Sequence, residues 1–299
     1  MPAQRTRFVE LRFLALAAAV VLAVGAPAGA QVRRSNRVPA PEPVDHTLVT
    51  KDGVQLRITY FPSDAGQEAT PVVLLHDRGE SRAVMRDLAL LLQSPGLDQG
   101  EPVPRRAVVT VDLRGHGDSK TAVDYDGNEV QLNVDRFRQA DYENMVDFDM
   151  EAVRSFLVER NDARELNLNK LALVGSGMGA NVATIWAARD WEAPPLAVRK
   201  QGQDVKALAL ISPAWNYRGL ALNDALRQPD VRGRLGLFVA FGTQSRSAER
   251  DARNVLRNVE KFHPEPPADQ VVEKKSLYVE EIPTALQGTE LLTKRDFAL

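Results

Sequence analysis

Apolar residues in this chain occur in short continuous runs that alternate with segments whose apolar positions repeat every three or four residues. A run with no polar alternation is typical of a strand buried on both faces of a parallel sheet, and the repeating segments are typical of helices. The runs cover residues 71–75, 107–111, 171–174, 205–211 and 235–241, and a final strand is predicted at 277–282. We therefore predict an α/β protein with a mainly parallel sheet and helices on both faces.

Two further segments have local turn chemistry. Residues 46–61 predict a hairpin, because two β-rich runs flank Asp52-Gly53, a strong hairpin-turn dipeptide. Residues 121–135 contain several acidic side chains around Asp126-Gly127-Asn128. Their spacing is not that of a calcium-binding EF-hand, so we interpret this segment as a solvated turn.

The turn that follows the run at 171–174 is the segment on which the predicted function depends most. Residues 171–180 read Leu-Ala-Leu-Val-Gly-Ser-Gly-Met-Gly-Ala, and a helical pattern begins at once at Asn181. A strand, a sharp glycine-rich turn and a helix form the setting in which α/β enzymes place a reactive group or bind a phosphate.

Composition limits the possible functions. The 299 residues include no cysteine, which excludes disulfides, thiolate metal sites and a cysteine nucleophile. The net charge is −2 and acidic and basic residues are interspersed, so the sequence shows no basic patch of the kind that binds nucleic acid. No pattern indicates a cofactor or a metal site. Residues 46–299 contain no linker or repeat and predict one domain.

The first 45 residues differ in character from the rest. Arg5, Arg7 and Arg12 precede an apolar run at 13–24, and Ala28-Gly29-Ala30 follows with the small residues that signal peptidase recognises. Residues 1–30 are predicted to be a signal peptide cleaved after Ala30, and residues 31–45 a flexible leader. The protein would then be periplasmic or secreted and keep no stable membrane anchor; an uncleaved anchor is the alternative.

Three motifs, in chain order, resemble those of the α/β-hydrolase superfamily, in its serine-aminopeptidase-like and esterase branches. They are His76-Asp77-Arg78-Gly79, the run Asp-Leu-Arg-Gly-His-Gly-Asp-Ser at 112–119, and Val-Gly-Ser-Gly-Met-Gly at 174–179. The resemblance covers roughly residues 46–299. It implies an α/β-hydrolase fold with a mainly parallel eight-stranded sheet and only short cap inserts.

The resemblance also assigns positions to a catalytic triad, and each is substituted here. Gly177 stands where the nucleophilic serine of a Gly-x-Ser-x-Gly elbow belongs, Ser245 where the acid belongs, and Gln287 where the histidine belongs. Ser176 lies one residue early, so its side chain should point away from the elbow tip. It is the fallback nucleophile.

The surroundings of the predicted elbow follow from the same resemblance. The oxyanion hole would use the N–H of Met178 and an N–H near Asp77, where a carboxylate replaces the usual glycine and opposes a developing oxyanion. His76, Trp191 and Trp215 are predicted to line the rim of a pocket. His46, His116 and His263 complete the histidines of the chain, and none is placed to act as a general base; we expect His263 to be a surface residue at a helix end.

Three functions remain open on the sequence. The favoured one is a catalytically degenerate α/β-hydrolase domain retained for binding a small-molecule or protein ligand, or for structure. The second is an active hydrolase of nonstandard mechanism, through Ser176 or Ser245. The third is a dinucleotide-binding protein, because Gly175-x-Gly177-x-x-Ala180 also fits that fingerprint, although no acidic residue ends the next strand to hold a ribose.

Overall fold

The computed structural model describes residues 39–98, 101–194 and 201–293. The predicted signal peptide at 1–30 and most of the predicted leader therefore lie outside the described residues. The first strand begins at Val44, so regular structure starts slightly before residue 46. Within the described ranges, no helix combines the length and the apolar character needed to cross a membrane.

One eight-stranded sheet forms the centre of the molecule. Its strands, in chain order, are β1 Val44–Val49, β2 Gln55–Phe61, β3 Thr70–Leu75, β6 Arg106–Val111, β9 Leu171–Ser176, β10 Val205–Ile211, β13 Gly236–Gly242 and β14 Leu277–Ile282. Their order across the sheet is β1-β2-β6-β3-β9-β10-β13-β14. β1 and β2 pair antiparallel, as do β2 and β6, while the other pairs are parallel. The predicted eight-stranded, mainly parallel sheet is confirmed.

Short hairpins and helices connect these strands. The hairpins are β4 Leu97–Asp98 with β5 Glu101–Pro102, β7 Thr121–Val123 with β8 Glu129–Gln131, and β11 Asn216–Tyr217 with β12 Leu220–Ala221. The α-helices are α1 Arg86–Gln93, α2 Gln139–Asn144, α3 Met150–Asp162, α4 Met178–Glu192, α5 Leu222–Ala225, α6 Pro229–Gly233, α7 Arg246–Val259, α8 Val271–Lys274 and α9 Glu290–Thr293. The predicted turn at 126–128 is the tip of the β7–β8 hairpin.

The sheet separates two apolar layers. Successive side chains of a strand point to opposite faces, so Leu171 and Leu173 of β9 enter one layer while Ala172 and Val174 enter the other. Both faces are covered by helices, which explains why these strands are apolar without alternation. Burial on both faces fixes β9 rigidly, and the turn at its end inherits that rigidity.

The helical segment that follows the β7–β8 hairpin is interrupted. Between α2 and α3, residues Met145–Asp149 form a π-helical turn. This turn places the fully buried carboxylate of Asp149 against Arg114, which donates from its backbone N–H (2.9 Å) and from Nε (2.9 Å). The π turn therefore serves an ion pair that the apolar periodicity does not reveal.

A second buried carboxylate closes the loop that leads into β10. Asp190 is only 5% exposed, and its Oδ2 accepts hydrogen bonds from the N–H groups of Asp204 (2.7 Å) and Val205 (3.0 Å). Arg154 pairs with the neighbouring Asp204 at 2.7 Å. Burial raises the pKa of Asp190 from its ordinary value of 3.8 to about 6.

This raised pKa predicts that the stability of the protein depends on pH in a specific window. Between pH 3.8 and about 6 the folded state binds a proton at Asp190 that the unfolded state does not, so this contribution to stability is present at acid pH and lost as the pH rises through 6. The Asp190→Asn variant keeps an acceptor oxygen but cannot ionise. On going from about pH 4 to about pH 7.5, its unfolding free energy should fall by about 2 kcal/mol less than that of wild type.

Urea denaturation at the two pH values measures this difference. The exposed Asp126→Asn variant is the matched control and should retain the pH dependence of wild type. An Asp190→Asn protein with the wild-type pH dependence would refute the assignment to Asp190.

Candidate functional site

The turn between β9 and α4 has the backbone geometry of a nucleophile elbow. Gly177 adopts φ 49° and ψ −114°, a conformation that strains residues with a Cβ atom. Its N–H donates to the carbonyl of Ile211 at 2.9 Å, which ties the turn to β10. A Cβ added at Gly179 would meet the carbonyl oxygens of Leu75 and His76 at 2.6 and 2.7 Å, so the end of β3 packs directly against the start of α4.

The carboxylate of Asp77 occupies the space above Gly177. Its Oδ1 accepts hydrogen bonds from the N–H of Met178 at 2.8 Å and from the N–H of Arg78 at 2.7 Å. A Cβ added at Gly177 would lie under 3.0 Å from the same carboxylate. Asp77 therefore fills the space that a side chain at position 177 would need, and it accepts the N–H of Met178 that the sequence predicts for an oxyanion hole.

A second carboxylate braces the Asp77 loop. Glu80 accepts a hydrogen bond from the N–H of Asp77 at 2.9 Å, and its other oxygen accepts from the hydroxyl of Thr289. These contacts join the loop after β3 to the loop after β14. Sequence reasoning missed Glu80 and Thr289, because they lie 209 positions apart and belong to no shared motif.

Gln287, at the position predicted for the base, is held by hydrogen bonds within the fold. Its Oε1 accepts from the hydroxyl of Ser212 at 2.8 Å and from the N–H of Gly242 at 3.3 Å, while its Nε2 donates to the carbonyl of Gly242 at 2.9 Å. The hydroxyl of Ser212 also accepts from the N–H of Gly288 at 2.9 Å. The amide thus connects the carboxyl ends of β10 and β13 with the last loop.

Neither of the two serines considered as alternative nucleophiles is hydrogen-bonded to a histidine among the described residues. The hydroxyl of Ser176 is buried and has no hydrogen-bond partner among the described residues. The hydroxyl of Ser245 lies 3.4 Å from that of Ser247, at the start of α7. In the described part of the chain no histidine contacts either hydroxyl, so neither is activated for attack.

The histidine predicted for the pocket rim lies beneath the site instead. His76 is fully buried, donates from Nδ1 to the carbonyl of Asp77 (2.6 Å) and accepts at Nε2 from the N–H of Leu113 (3.2 Å). Burial lowers its pKa to about 4, so it is neutral at pH 7. The rim assignment of His76 is wrong.

The prediction that His263 is a surface residue is also wrong. His263 is buried, and its Nδ1 lies 2.7 Å from the hydroxyl of Ser276.

The two tryptophans predicted for the rim lie at different ends of the sheet. The indole N–H of Trp191 donates to the carbonyl of Val205 at 2.9 Å, at the start of β10 and away from the elbow. Its rim assignment is wrong, because α4 runs back across the sheet before reaching Trp191. Trp215 is half-buried and follows the carboxyl end of β10, at the edge of the sheet where the elbow lies.

The motif at 112–119 builds structure around the loop after β6. Asp112 accepts hydrogen bonds from the N–H groups of Arg82 (2.5 Å) and Asp118 (2.9 Å), and the Ser119 hydroxyl accepts from the N–H of Arg57 at 2.7 Å. Among the residues that the structure describes, no three acidic or histidine side chains are grouped to hold a metal ion.

Comparison with known proteins places this geometry in context. Residues 70–284 match the model of the alpha/beta hydrolase fold family. No curated protein matches the sequence. Among solved structures, the fold is similar to that of a dienelactone hydrolase from Anabaena variabilis (TM-score 0.52, 17% identity, 81% of this chain and 87% of the other). It is also similar to an esterase from Pyrococcus furiosus (TM-score 0.52, 16% identity, 84% and 86%). At these identities the likeness extends to the fold alone.

Proposed function

The chain belongs to the alpha/beta hydrolase fold family, and from that premise we propose that it is a member that does not turn over esters or peptides by serine catalysis. The fold is retained for binding a ligand or for a structural role. The observation that carries this proposal is the carboxylate of Asp77, which accepts the N–H groups of Met178 and Arg78 directly above Gly177.

Two independent physical effects support the loss of catalysis. Removing the serine or the histidine of a working triad costs about a millionfold in turnover, equivalent to about 8 kcal/mol. The remaining catalytic device of such enzymes, the oxyanion hole, here holds a negative charge already. A second anion about 4 Å away would be repelled by about 4 kcal/mol at an effective dielectric constant of about 20.

The same contacts weigh against the two alternative functions. A hydrolase using Ser176 or Ser245 would need a base, and neither hydroxyl has one. A dinucleotide would place its pyrophosphate at the N-terminus of α4, where the carboxylate of Asp77 is bound to the N–H of Met178. Like charges at that position disfavour the phosphate.

We also propose that the protein is exported, to the periplasm or the medium, after cleavage behind Ala30. The support is the sequence of the first 30 residues, with its basic start, apolar run and small residues. A mature protein beginning at Gln31, detected by mass spectrometry of the exported fraction, is the expected result.

A fluorophosphonate probe and a panel of activated esters test the absence of serine catalysis. The purified protein should show neither labelling nor turnover above that of its own Ser176→Ala and Ser245→Ala variants, which serve as matched controls. Ester turnover that disappears on changing either serine would overturn the proposal, since it would identify a working nucleophile.

A further inference from the structure

Helix α7 carries a line of basic side chains on its solvent side. The apolar residues of its other side are buried in the layer on one face of the sheet: Ala252, Val255, Leu256 and Val259. The solvent side carries Arg246, Arg250 and Arg257, and Lys261 follows in the 3₁₀ turn that continues the helix. An α-helix turns about 100° per residue, so the three arginines lie within about 40° of one another around the helix axis. These four exposed side chains form the basic stripe.

The acidic side chains of α7 lie beside the basic stripe and not on it. Glu249 and Asp251 are about 80° and 120° from the line of arginines, on the two flanks of the helix. Glu249 pairs with Arg253 at 3.5 Å, and Arg253 also pairs with Glu281 of β14 at 2.5 Å. The net charge of −2 of the whole chain therefore conceals a local excess of positive charge.

The cations of the stripe have weak partners within the fold. Arg246 and Lys261 form no ion pair or hydrogen bond in the ranges that the structure describes. Arg257 donates to an uncharged amide side chain. Arg250 pairs at 3.4 Å with Asp251, its neighbour in the sequence, and 71% of the arginine side chain is exposed. Most of the positive charge of the stripe is thus available to a partner.

The position of Arg246 opposes the local electrostatics of the helix. Arg246 is the first residue of α7, where the partial positive charge of the helix N-terminus disfavours a cation. The side chain of the N-cap residue Ser245 accepts no hydrogen bond from the first turn, so this N-terminus is not stabilised by a cap. A basic residue that costs stability here and has no partner in the fold points to a role outside the helix.

The positive surface continues past the end of α7 and includes an aromatic ring. The guanidinium of Arg232 lies 4.3 Å from the ring centroid of Phe262, and the ammonium of Lys261 lies 4.9 Å from it. Phe262 is half-buried. Cations beside an aromatic ring suit the headgroup region of a lipid bilayer, where both are favoured.

A flat anionic surface complements the basic stripe better than a nucleic acid does. The stripe extends about 16 Å from Arg246 to Arg257, along a helix whose other side is buried. It offers cations alone, without the row of stacking aromatic side chains that binds single strands. A protein exported as proposed above meets lipid headgroups, so this choice of partner rests on the proposed export.

We propose that α7 docks the protein reversibly, through the basic stripe, on membranes that contain anionic phospholipids. Each basic side chain near such a surface is attracted by its negative potential, and the attraction weakens as salt is added. Docking of this kind is peripheral and adds no stable anchor to the bilayer.

The absence of cysteine from the chain makes the docking directly measurable. In the full-length protein, Ser247→Cys places a polarity-sensitive dye on the solvent side of α7. Ser94→Cys places the same dye at the end of α1, whose buried residues belong to the apolar layer on the opposite face of the sheet. Vesicles of equal parts phosphatidylglycerol and phosphatidylcholine should shift the emission of the first label, reversibly with salt, and leave the second unchanged. Vesicles of phosphatidylcholine alone should shift neither.

Two double variants show whether the basic stripe causes the shift. In the Ser247→Cys protein, Arg246→Gln/Arg257→Gln should weaken binding to the anionic vesicles by at least about tenfold. The matched control Lys51→Gln/Arg86→Gln also removes two exposed positive charges, but from outside α7, and should bind like the Ser247→Cys protein itself.

Three results would overturn this inference: no shift of the α7 label with the anionic vesicles, an equal shift with phosphatidylcholine alone, or equal loss of binding in the two double variants. Binding of a DNA duplex without any response to vesicles would assign the stripe to nucleic acid instead. The proposed export fails separately, if no exported protein begins at Gln31. Ester turnover would refute the absence of catalysis and leave the docking result unaffected.

Discussion

The Gly177→Ser variant is expected to have an unfolding free energy about 2–6 kcal/mol below that of wild type and to remain inactive. A side chain at this position must adopt a positive φ, which costs about 1–3 kcal/mol. Its Cβ would also collide with the carboxylate of Asp77, and overpacking of this kind costs about 1–3 kcal/mol more. A serine introduced here therefore lowers stability and finds no base, because Gln287 cannot accept a proton.

A double-mutant cycle with Asp77→Gly separates the two costs. The Asp77→Gly/Gly177→Ser protein should be more stable than the sum of the single changes predicts, because the collision is gone. Gly79→Ser is the matched control: its φ is +80°, but no atom lies within 4 Å of an added Cβ, so it reports the conformational cost alone. Additive single changes would show that Asp77 does not occupy the space above Gly177.

The Arg114→Met variant is expected to lose about 3–5 kcal/mol of unfolding free energy. Arg114 is 5% exposed and pairs with Asp149, which is fully buried, and with Asp52 at the surface end of the network. Removing the guanidinium leaves the Asp149 carboxylate in an apolar environment without a counter-charge. The expected result is a lower urea midpoint with an unchanged dependence on urea concentration.

Two further variants make this prediction specific. Adding Asp149→Leu to Arg114→Met should recover most of the lost stability, because the unpaired charge is removed as well. Arg250→Met breaks a pair with Asp251 in which the arginine side chain is 71% exposed, and should cost under about 1 kcal/mol. An Arg114→Met protein as stable as this control would show that the buried pair contributes little.

The central strands were predictable because burial on both faces leaves an apolar run, and residues 205–211 were predicted at the bounds that the structure shows. The edge strand at 277–282 was also predicted at its observed bounds, although it is only partly buried. The π turn at Met145–Asp149 was not predicted, because it depends on bringing Asp149 to Arg114, a partner 35 positions away.

The candidate site was predictable where it lies in motifs and not where it depends on packing. Gly177, Asp77 and Met178 belong to local turns, and the structure brings them together. The bracing by Glu80 joins distant loops, which a single sequence does not record. Trp191 was assigned to the wrong end of the sheet because an aromatic residue late in a helix gives no indication of which end it reaches.

Asp77 acts on the N–H group of Met178 as an internal ligand of high effective molarity. The fold holds the Asp77 carboxylate against the N–H groups of Met178 and Arg78. Its effective concentration there exceeds the millimolar values reached by ligands on flexible tethers. Any free acid, such as acetate or a fatty acid released by a true esterase, competes for these N–H groups against this internal occupant. The N–H groups of Met178 and Arg78 should therefore not bind product-like acids at concentrations that inhibit an active esterase.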